Sequence, residues 1–454
     1  MRAGAAALAA VALLVFSASA LGEEGAGALR SGWPQWRGPL ATGAAPGADP
    51  PVEWSESRNV RWKVRIPGRG NSSPVVWEDR VFLTTAIETD RTVDRKVVEA
   101  VEAETPEFHR SRARLPRNVL EFVVMALKRS DGSVLWQRTV CEAVPHSATH
   151  ADGSWASGSP VTDGERVYAY FGSYGLYALD VDGRPQWERR FGTFKMKANF
   201  GEGTSPVLCG DTLVINQDHE GPSFIVGLDR KTGDTRWKAD RDEASSWSTP
   251  LVLEHDGRRQ VVTAATNRIR SYDAASGGLL WEATGMTGNV IPCPVADKGI
   301  VTCMSGFRGS SLMAIRLDAA EGDVTGKAEA IAWSSRDDAP YVPSPLLYDG
   351  LLYYLKTNKG ALTCTEAATG RAHYEAQSLE GVNVVYSSPV GAGGRVYVTG
   401  KSGTTFVMRH GPRFEVLARN TLDDRFTASA ALVGRELYLR GEENVYCLAV
   451  DGPE

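Results

Sequence analysis

A repeat of roughly 44 residues runs through most of this chain, and it restricts the possible folds more than any other feature. Most copies open on Ser-Pro or Thr-Pro, as in SSPV at Ser73 and SSPV at Ser388, and IPCPV at Cys293 is a variant. From the second copy onward the opening prolines stand at positions 160, 206, 250, 294, 345 and 389. Such regular spacing indicates that one supersecondary unit is repeated along the chain.

Each unit contains several short strands. In SGSPVTDGERVYAYFGSYGLYALDVDGRPQW, from Ser157 to Trp187, the runs RVYAYF and GLYALDV alternate apolar and polar residues, and Gly or Asp separates them. Units close on a glycine followed four positions later by an aromatic residue. This pairing occurs at Gly132/Trp136, Gly183/Trp187, Gly233/Trp237, Gly277/Trp281 and Gly370/Tyr374. The pattern predicts small antiparallel sheets of four strands.

A four-stranded unit of this size cannot bury both of its faces alone, so the copies must stack on one another. Twisted four-stranded sheets stack radially as the blades of a propeller, with proline at the start of an innermost strand that has no inner neighbour. Seven openings are complete, and the segment from Thr427 to Val450 is an eighth copy without its last strand. The N-terminal run NVRWKVRIPG, with Trp62, supplies the missing strand. We therefore predict an all-β, eight-bladed β-propeller of four-stranded antiparallel blades, closed by pairing of the N-terminal strand with the C-terminal blade.

The N-terminus has the features of an export signal. Arg2 is followed by an apolar run from Ala5 to Phe16 and by Ala18-Ser19-Ala20, which fits a signal peptidase site. The predicted organisation is a signal peptide over 1–20, an N-terminal extension over 21–58 and the propeller over 59–454. An anchored N-terminal helix is the alternative, although the apolar run is short for a membrane span. We predict a soluble, monomeric protein of the periplasm or the extracellular space, with no transmembrane segment after signal cleavage.

Charge and cysteine content exclude several functions. The formal net charge of the 454 residues is -5, so the chain lacks the basic character of a nucleic-acid-binding protein. Six cysteines are scattered without a CxxC spacing, which argues against a zinc site, an attached haem or a redox pair. Cys293 and Cys303 form one candidate disulfide, and buried free thiols are the alternative. We expect no metal site.

The closing phrases IVGLDRKTGDTRWKA and RSYDAASGGLLWEA resemble the tryptophan-docking repeat of pyrroloquinoline-quinone-like (PQQ-like) propellers. The entry WPQWRGPLATG and the later YVPSPLLYDG resemble exported propeller proteins of planctomycete type. The architecture is similar to that of quinoprotein alcohol dehydrogenases and to that of the propeller lipoprotein of the outer-membrane barrel-assembly machinery, a non-enzymatic scaffold. The resemblance covers nearly the whole chain after residue 20.

The two relatives imply different functions. Quinoprotein dehydrogenases carry adjacent cysteines over the quinone and a calcium site of Glu, Asn and Asp, and this chain has no Cys-Cys pair. The scaffold lipoprotein has a lipidated cysteine after its signal peptide, where this chain has Leu21-Gly22-Glu23. We therefore expect an exported, non-catalytic binding or scaffold protein of the cell envelope that needs no cofactor and binds an envelope protein, a peptide or a glycan. The alternative is an alcohol or sugar dehydrogenase dependent on PQQ and calcium.

Connections between blades, and loops between second and third strands, gather around one mouth of a propeller channel, which is the usual recognition surface. Predicted binding residues there, near Asp152 and Phe200, are Arg69, Asn71, His150, Trp155, Asn199, Glu202, Trp247, Asn289, Arg308, Tyr341, Lys356, Asn383, Tyr386, Lys401 and Arg425. No catalytic residue is assigned. The alternative is that these side chains only support loops around a water-filled channel.

The first blade carries an insertion over residues 88–121. In VDRKVVEAVEA the residues Val93, Val97, Val98 and Val101 fall on one helical face, and the basic HRSRARLPR follows. Because it occupies a second-to-third-strand loop, the insertion is predicted to project over the mouth, as a lid, a docking arm or a charged decoration of the rim. A smaller insertion, AAEGDVTGKAEAIAW, lengthens the fifth blade.

Overall fold

The repeats fold into eight four-stranded antiparallel blades around a central channel, which confirms the predicted propeller. The computed structural model describes residues 32–450, so the predicted signal peptide lies outside the described residues. Within residues 32–450, no helix has the length and apolar character needed to cross a membrane.

In blades 1 to 7 the strands follow chain order from the innermost strand outward, and in blade 8 the outermost strand is β1. Blade 1 has β2 (Val75–Trp77), β3 (Arg80–Thr92), β5 (Asn118–Lys128) and β6 (Val134–Ala143). Blade 2 has β8 (Val161–Thr162), β9 (Arg166–Tyr170), β10 (Leu176–Asp180) and β11 (Pro185–Arg189). Blade 3 has β12 (Val207–Cys209), β13 (Thr212–Gln217), β14 (Ser223–Asp229) and β15 (Thr235–Arg241). Blade 4 has β16 (Leu251–His255), β17 (Arg258–Ala264), β18 (Ile269–Asp273) and β19 (Leu279–Ala283).

The second half repeats the arrangement. Blade 5 has β20 (Val295–Asp297), β21 (Ile300–Ser305), β22 (Ser311–Arg316) and β24 (Ile331–Ser335). Blade 6 has β25 (Leu346–Tyr348), β26 (Leu351–Leu355), β27 (Ala361–Glu366) and β28 (Ala372–Ser378). Blade 7 has β29 (Val390–Ala392), β30 (Arg395–Thr399), β31 (Thr404–Arg409) and β32 (Val416–Thr421). Blade 8 has β33 (Ala431–Val433), β34 (Glu436–Arg440), β35 (Asn444–Ala449) and β1 (Val60–Arg65).

Blade 8 is closed as the sequence predicts. Strand β1 pairs antiparallel with β35, and Trp62 lies opposite Cys447. The N-terminal strand therefore forms the outer edge of the C-terminal blade, and the indole nitrogen of Trp62 donates to the carbonyl of Arg129 in blade 1, 2.9 Å away. Pairing the two ends of the chain removes the edges that an open ring would leave.

The glycine and tryptophan of the closing phrases belong to one packing arrangement between blades. A Cβ atom added at Gly132 would lie 2.7 Å from the ring of Trp62, and one at Gly183 would lie 2.6 Å from Trp136. The same contact joins Gly233 to Trp187, Gly277 to Trp237 and Gly370 to Trp333. Because these glycines also adopt φ between 71° and 82°, only glycine fits both the turn and the indole of the preceding blade.

The Ser/Thr-Pro openings form a closed ring of hydrogen bonds around the channel, which we call the inner ring. Each backbone N–H donates to the side chain of the corresponding residue in the next blade, over 2.8–3.2 Å. Its members are Ser73, Ser159, Ser205, Thr249, Cys293, Ser344, Ser388 and Ser429. Since the innermost strands have no inner neighbour, these side chains satisfy backbone groups that would otherwise be unpaired.

The N-terminal extension fills the channel on the side away from the mouth. Its backbone pairs with innermost strands at Trp33 with Val76 and at Ala44 with Gly391. The buried guanidinium of Arg37 donates to the carbonyls of Pro345 and Pro389, each 2.9 Å away, directly beside the inner ring. Burial lowers the pKa of Arg37 to about 10.

All six cysteines are buried free thiols, so the candidate Cys293–Cys303 disulfide is not formed and the alternative holds. The two residues have separate structural roles. Cys293 precedes β20 and accepts the N–H of Thr249 as a member of the inner ring, 3.2 Å away. Cys303 lies within β21, opposite Met313, in the packed core of blades 4 and 5.

The insertion in blade 1 is shorter than predicted. Strands β3 and β5 stay paired as far as Thr92 and Asn118, so residues 88–92 and 118–121 belong to the blade and the excursion covers residues 93–117. It contains helix α1 (Arg95–Glu104), the short helix α2 (Glu107–Arg110) and β4 (Ala113–Arg114). Strand β4 pairs with β7 (Thr149–His150) from the connection between blades 1 and 2.

The smaller insertion adds β23 (Gly322–Asp323), which pairs in parallel with the outer strand of blade 4.

The predicted valine face of the helix is only partly buried. Val101 is buried against the protein, whereas Val97 is 40% exposed and Val93 precedes the helix. Asp94 caps the helix by accepting the N–H of Lys96, 2.8 Å away. Val101 therefore anchors the helix, whereas Val98 is half-buried and Val97 faces outward.

Candidate functional site: the mouth of the channel

A turn of the chain spans the centre of the mouth. The segment 149–153 belongs to the connection between blades 1 and 2 and extends over the channel, so that Asp152 contacts residues of blades 7 and 8. The Asp152 carboxylate accepts hydrogen bonds from Lys401, 2.5 Å away, and from the Tyr386 hydroxyl, 3.2 Å away. Arg425 lies 3.5 Å from the same carboxylate. We call this segment the crossing turn.

Two predicted residues of blade 1 hold the crossing turn from beneath. Arg69 donates to the carbonyls of Ala151 and Gly153, 2.8 and 3.2 Å away. The amide of Asn71 donates to the carbonyl of Asp152, 2.7 Å away. The structure thus brings six of the predicted binding residues together around one turn, namely Arg69, Asn71, His150, Tyr386, Lys401 and Arg425.

The excursion of blade 1 packs onto the mouth beside the crossing turn. The ring of His109 lies between His150 and Phe200, with centroid distances of 5.5 and 4.6 Å. Asn199, which is buried, donates from its side-chain amide to Thr105 of the excursion, 3.0 Å away. Trp247 continues this aromatic cluster, with its ring centroid 6.4 Å from that of Phe200. The excursion therefore covers the mouth above blades 2 and 3.

Five further predicted residues lie on blades 5 to 7 or in the connections that lead into them, and they form no hydrogen bond or ion pair with the crossing turn. Tyr341 stacks on Phe307 at 5.0 Å, and the exposed Arg308 lies over the same ring. Asn289 is buried and adopts a left-handed backbone conformation with φ 55°. Lys356 forms an ion pair with Asp338, 2.7 Å away. Asn383 is exposed on the connection before blade 7.

Glu202 and Trp155 belong to the wall of the mouth at blade 2. The Glu202 carboxylate accepts the N–H and the hydroxyl of Ser173, 2.9 and 2.7 Å away. Burial nevertheless raises its pKa to about 7, because the two hydrogen bonds from Ser173 only partly offset desolvation. The indole of Trp155 donates to the carbonyl of Ser147. Both side chains support the loops that they contact.

Positive charge prevails around the crossing turn. Burial raises the pKa of Asp152, but Lys401, His150 and Tyr386 together lower it below its usual value, so the carboxyl is ionised at neutral pH. Burial lowers the pKa of His150, and Arg112 and Lys401 lower it further against the opposing effect of Asp152. His150 is therefore neutral at neutral pH, and Asp152 balances a cluster of cations.

A group of His, Asp and Asp that could ligate a metal lies away from the mouth. Within residues 32–450 it consists of His255, Asp256 and Asp318, at the turns on the opposite face of blades 4 and 5. The Nε2 atom of His255 already donates to the Asp318 carboxylate, 2.7 Å away, and both aspartates are more than 80% exposed. An ion pair accounts for this arrangement.

The sequence predicts which residues surround the mouth but not which of them contact one another. The central role of Asp152 depends on the path of the crossing turn, which joins residues 234 to 273 positions apart. In the sequence, Arg112 and Arg114 belong to the basic run HRSRARLPR, and nothing there distinguishes them from its other arginines. The role of Arg37, beneath the inner ring, had no signal beyond the entry motif in which it stands.

The fold and the mouth define an eight-bladed propeller of the PQQ-like class. A family model described as outer membrane protein assembly factor BamB matches residues 121–245 and 222–451, and the chain belongs to this family. No curated protein matches the sequence.

Solved structures share the fold at low sequence identity. BamB from Moraxella catarrhalis has a TM-score of 0.53 at 14% identity, over 80% of this chain and 99% of that one. The quinohemoprotein alcohol dehydrogenase ADHIIG from Pseudomonas putida HK5 has a TM-score of 0.54 at 10% identity, over 94% of this chain and 82% of that one. The enzyme of the same name from Comamonas testosteroni has a TM-score of 0.50 at 14% identity, with the same coverage of both chains. At these identities the similarity concerns the fold.

Proposed function

We propose that this protein is a non-catalytic binding or scaffold protein exported to the cell envelope, where it acts as a soluble monomer. The ligand is an envelope protein, a peptide or a glycan that contacts the rim of the mouth. The signal-like N-terminus of the sequence and membership of the BamB-described family support this assignment.

The observation that carries the proposal is the crossing turn. Asp152, held by Lys401 and Tyr386, places the protein's own chain across the centre of the mouth. On the other side of the inner ring, the extension and Arg37 occupy the channel. A propeller filled in this way presents its rim and loops to a ligand and does not offer a deep enclosed pocket, as catalysis on a small substrate would need.

A dehydrogenase that uses PQQ and calcium is the alternative, and the residues of the mouth do not fit this cofactor. Calcium requires several free oxygen ligands. The carboxylates at the expected place are engaged within the protein, Glu202 with Ser173 and Asp152 with Lys401. The side chain of Asn199 is buried, and its amide nitrogen donates to Thr105. The sequence also has no adjacent cysteines.

Two experiments test the proposed function. The purified protein is mixed with PQQ and calcium, and dye reduction is followed over a panel of alcohols and sugars; we expect no turnover, and tight quinone uptake with turnover would replace the proposal by the alternative. In parallel, the immobilised protein is incubated with envelope extract. We expect it to retain a defined partner that an unrelated exported protein does not retain.

The excursion offers a matched variant for the second experiment. Because Thr92 pairs with Asn118, a short turn can replace residues 93–117 without breaking the blade. We expect this variant to fold with a lower melting temperature, because the contacts of Thr105, His109 and β4 with the mouth are lost. We expect it to retain less partner if the excursion contributes to the docking surface. Unchanged retention would assign binding to the remaining rim.

A further inference from the structure

A groove at the junction of blades 8 and 1 lies beside the mouth and has unsatisfied groups along one wall. Its volume is about 480 Å³, and it runs between the start of the connection after β1 and the upper part of β3. The charged side chains that line it are Arg65, Arg69, Arg114, Glu88, Glu442 and Glu443. The last two acidic residues belong to the loop between β34 and β35 of blade 8.

Strand β3 has an open edge at this groove. Ala86 exchanges two backbone hydrogen bonds with Arg69, at 2.8 and 2.9 Å, so the N–H and C=O groups of Ala86 point toward the channel. Backbone groups of an antiparallel strand alternate in direction, so those of Glu88, two residues further, point the same way. No residue of the described chain pairs with Glu88 on that side, because the segment that precedes Arg69 comes from β1 of blade 8 and joins the edge of β3 only at Ala86.

Arg114 supplies an unpaired positive charge at the same groove. Among residues 32–450 it has no carboxylate partner, and its Nε atom is buried without an acceptor. Arg69 is already paired with Glu442 at 3.3 Å, and Arg65 lies 4.0 Å from Glu443. The charges that remain without a partner are therefore the Arg114 guanidinium and the exposed Glu88 carboxylate.

We propose that this groove binds an extended peptide segment of a partner protein, which adds as a strand to the open edge of β3 at Glu88 and places a carboxylate on Arg114. Main-chain hydrogen bonds at a sheet edge supply affinity, and a charged side chain at a fixed position supplies selectivity. A glycan would satisfy the guanidinium but would not match the spacing of the strand groups. The inference deepens the proposed binding function and rests on it.

The backbone contact can be tested without disturbing the blade. The N–H of Glu88 lies on the open edge and not in the β3–β5 ladder, so Glu88→Pro removes the donor while the ladder stays intact. The matched variant Glu88→Gln keeps the N–H and removes only the carboxylate charge. For the guanidinium, Arg114→Gln is compared with Arg117→Gln, which removes the same charge from an exposed residue that does not line the groove.

The experiment selects peptides from a displayed library of random decapeptides against the wild-type protein. We expect enriched sequences to contain Asp or Glu, to bind at least tenfold more weakly to Arg114→Gln and to Glu88→Pro, and to bind Glu88→Gln and Arg117→Gln within about threefold of wild type. Binding is expected to slow hydrogen exchange of the Glu88 amide. Melting temperatures show whether Glu88→Pro is folded. If it is not, the inference is tested by comparing Arg114→Gln with Arg117→Gln and by the hydrogen exchange of the Glu88 amide.

Three results would overturn the inference: no enrichment above background, equal binding to Arg114→Gln and Arg117→Gln, or no protection at Glu88. The envelope pull-down separates this outcome from failure of the binding function. If wild type and Arg114→Gln retain the same partner equally, the protein is a binding protein whose partner does not use the groove. If neither retains a partner, the binding function itself fails.

Discussion

The inner ring gives a quantitative test of what holds the blades in register. Ser159→Ala removes the hydroxyl that accepts the N–H of Ser73 at 2.9 Å, and Ser73 is only 2% exposed. The donor is then buried without an acceptor, which costs about 1–3 kcal/mol. At roughly 2.1 cal/mol/K of unfolding entropy per residue, a chain of this length loses about 1–3 °C in melting temperature.

Cys293 provides the internal comparison, because it occupies the same ring position with sulfur. Sulfur is a weak acceptor. Cys293→Ala should therefore cost less than Ser159→Ala, and Cys293→Ser should stabilise the protein by up to about 1 kcal/mol. Differential scanning calorimetry and urea unfolding followed by tryptophan fluorescence measure the order, with Ser57→Ala on the exposed extension as the control. The proposed role of the inner ring is refuted if Ser159→Ala has the same melting temperature as Ser57→Ala, or if Cys293→Ser is less stable than wild type.

Three further predictions concern the closure and the mouth. Trp62→Ala should cost about 3–5 kcal/mol in urea unfolding, because a buried ring and its hydrogen bond across the closure are lost together. Asp152→Asn should speed hydrogen exchange of segment 149–153 at pH 7; the folded-state pKa of Asp152 is lowered, so wild type should approach the variant only as the pH falls below about 4. The raised pKa of Glu202, about 7, means that the folded state keeps a proton that the unfolded state releases above 4.5. Stability should therefore decline by at most about 3 kcal/mol as the pH rises through this window, and Glu202→Gln should abolish that decline in pH-dependent unfolding.

The periodic features of the sequence predicted the fold because each has a local physical cause. Glycine and tryptophan recur at one offset since the indole of one blade fills the space that the glycine of the next leaves open, as at Gly183 and Trp136. The Ser/Thr-Pro openings recur because every innermost strand needs an acceptor from the neighbouring blade. The eighth opening was recognisable only from its strands, because Ser429 keeps the serine of the ring but Ala430 replaces the proline.

The mouth could be predicted as a region but not as a set of contacts. Its geometry depends on segments that break the repeat, and such segments carry no periodic signal. Asp152 stands outside the repeated phrases of the sequence, yet the crossing turn brings it to Lys401, 249 positions later in the chain. Similarly, the predicted bounds of the insertion, 88–121, were too wide, because β3 and β5 are longer than the corresponding strands of the other blades and stay paired as far as Thr92 and Asn118.

The position of the excursion links the mouth to the groove. Strand β4 of the excursion pairs with β7, which leads directly into the crossing turn, and the carbonyl of Arg112 accepts the N–H of Ala151 at 2.6 Å. Arg114 lies on that same short strand and lines the groove. A ligand bound to Arg114 therefore contacts β4, and β4 is paired with β7, the strand that leads to Asp152 over the channel. Binding at the groove and hydrogen exchange of the crossing turn should consequently change together, since the two strands of this element share backbone hydrogen bonds.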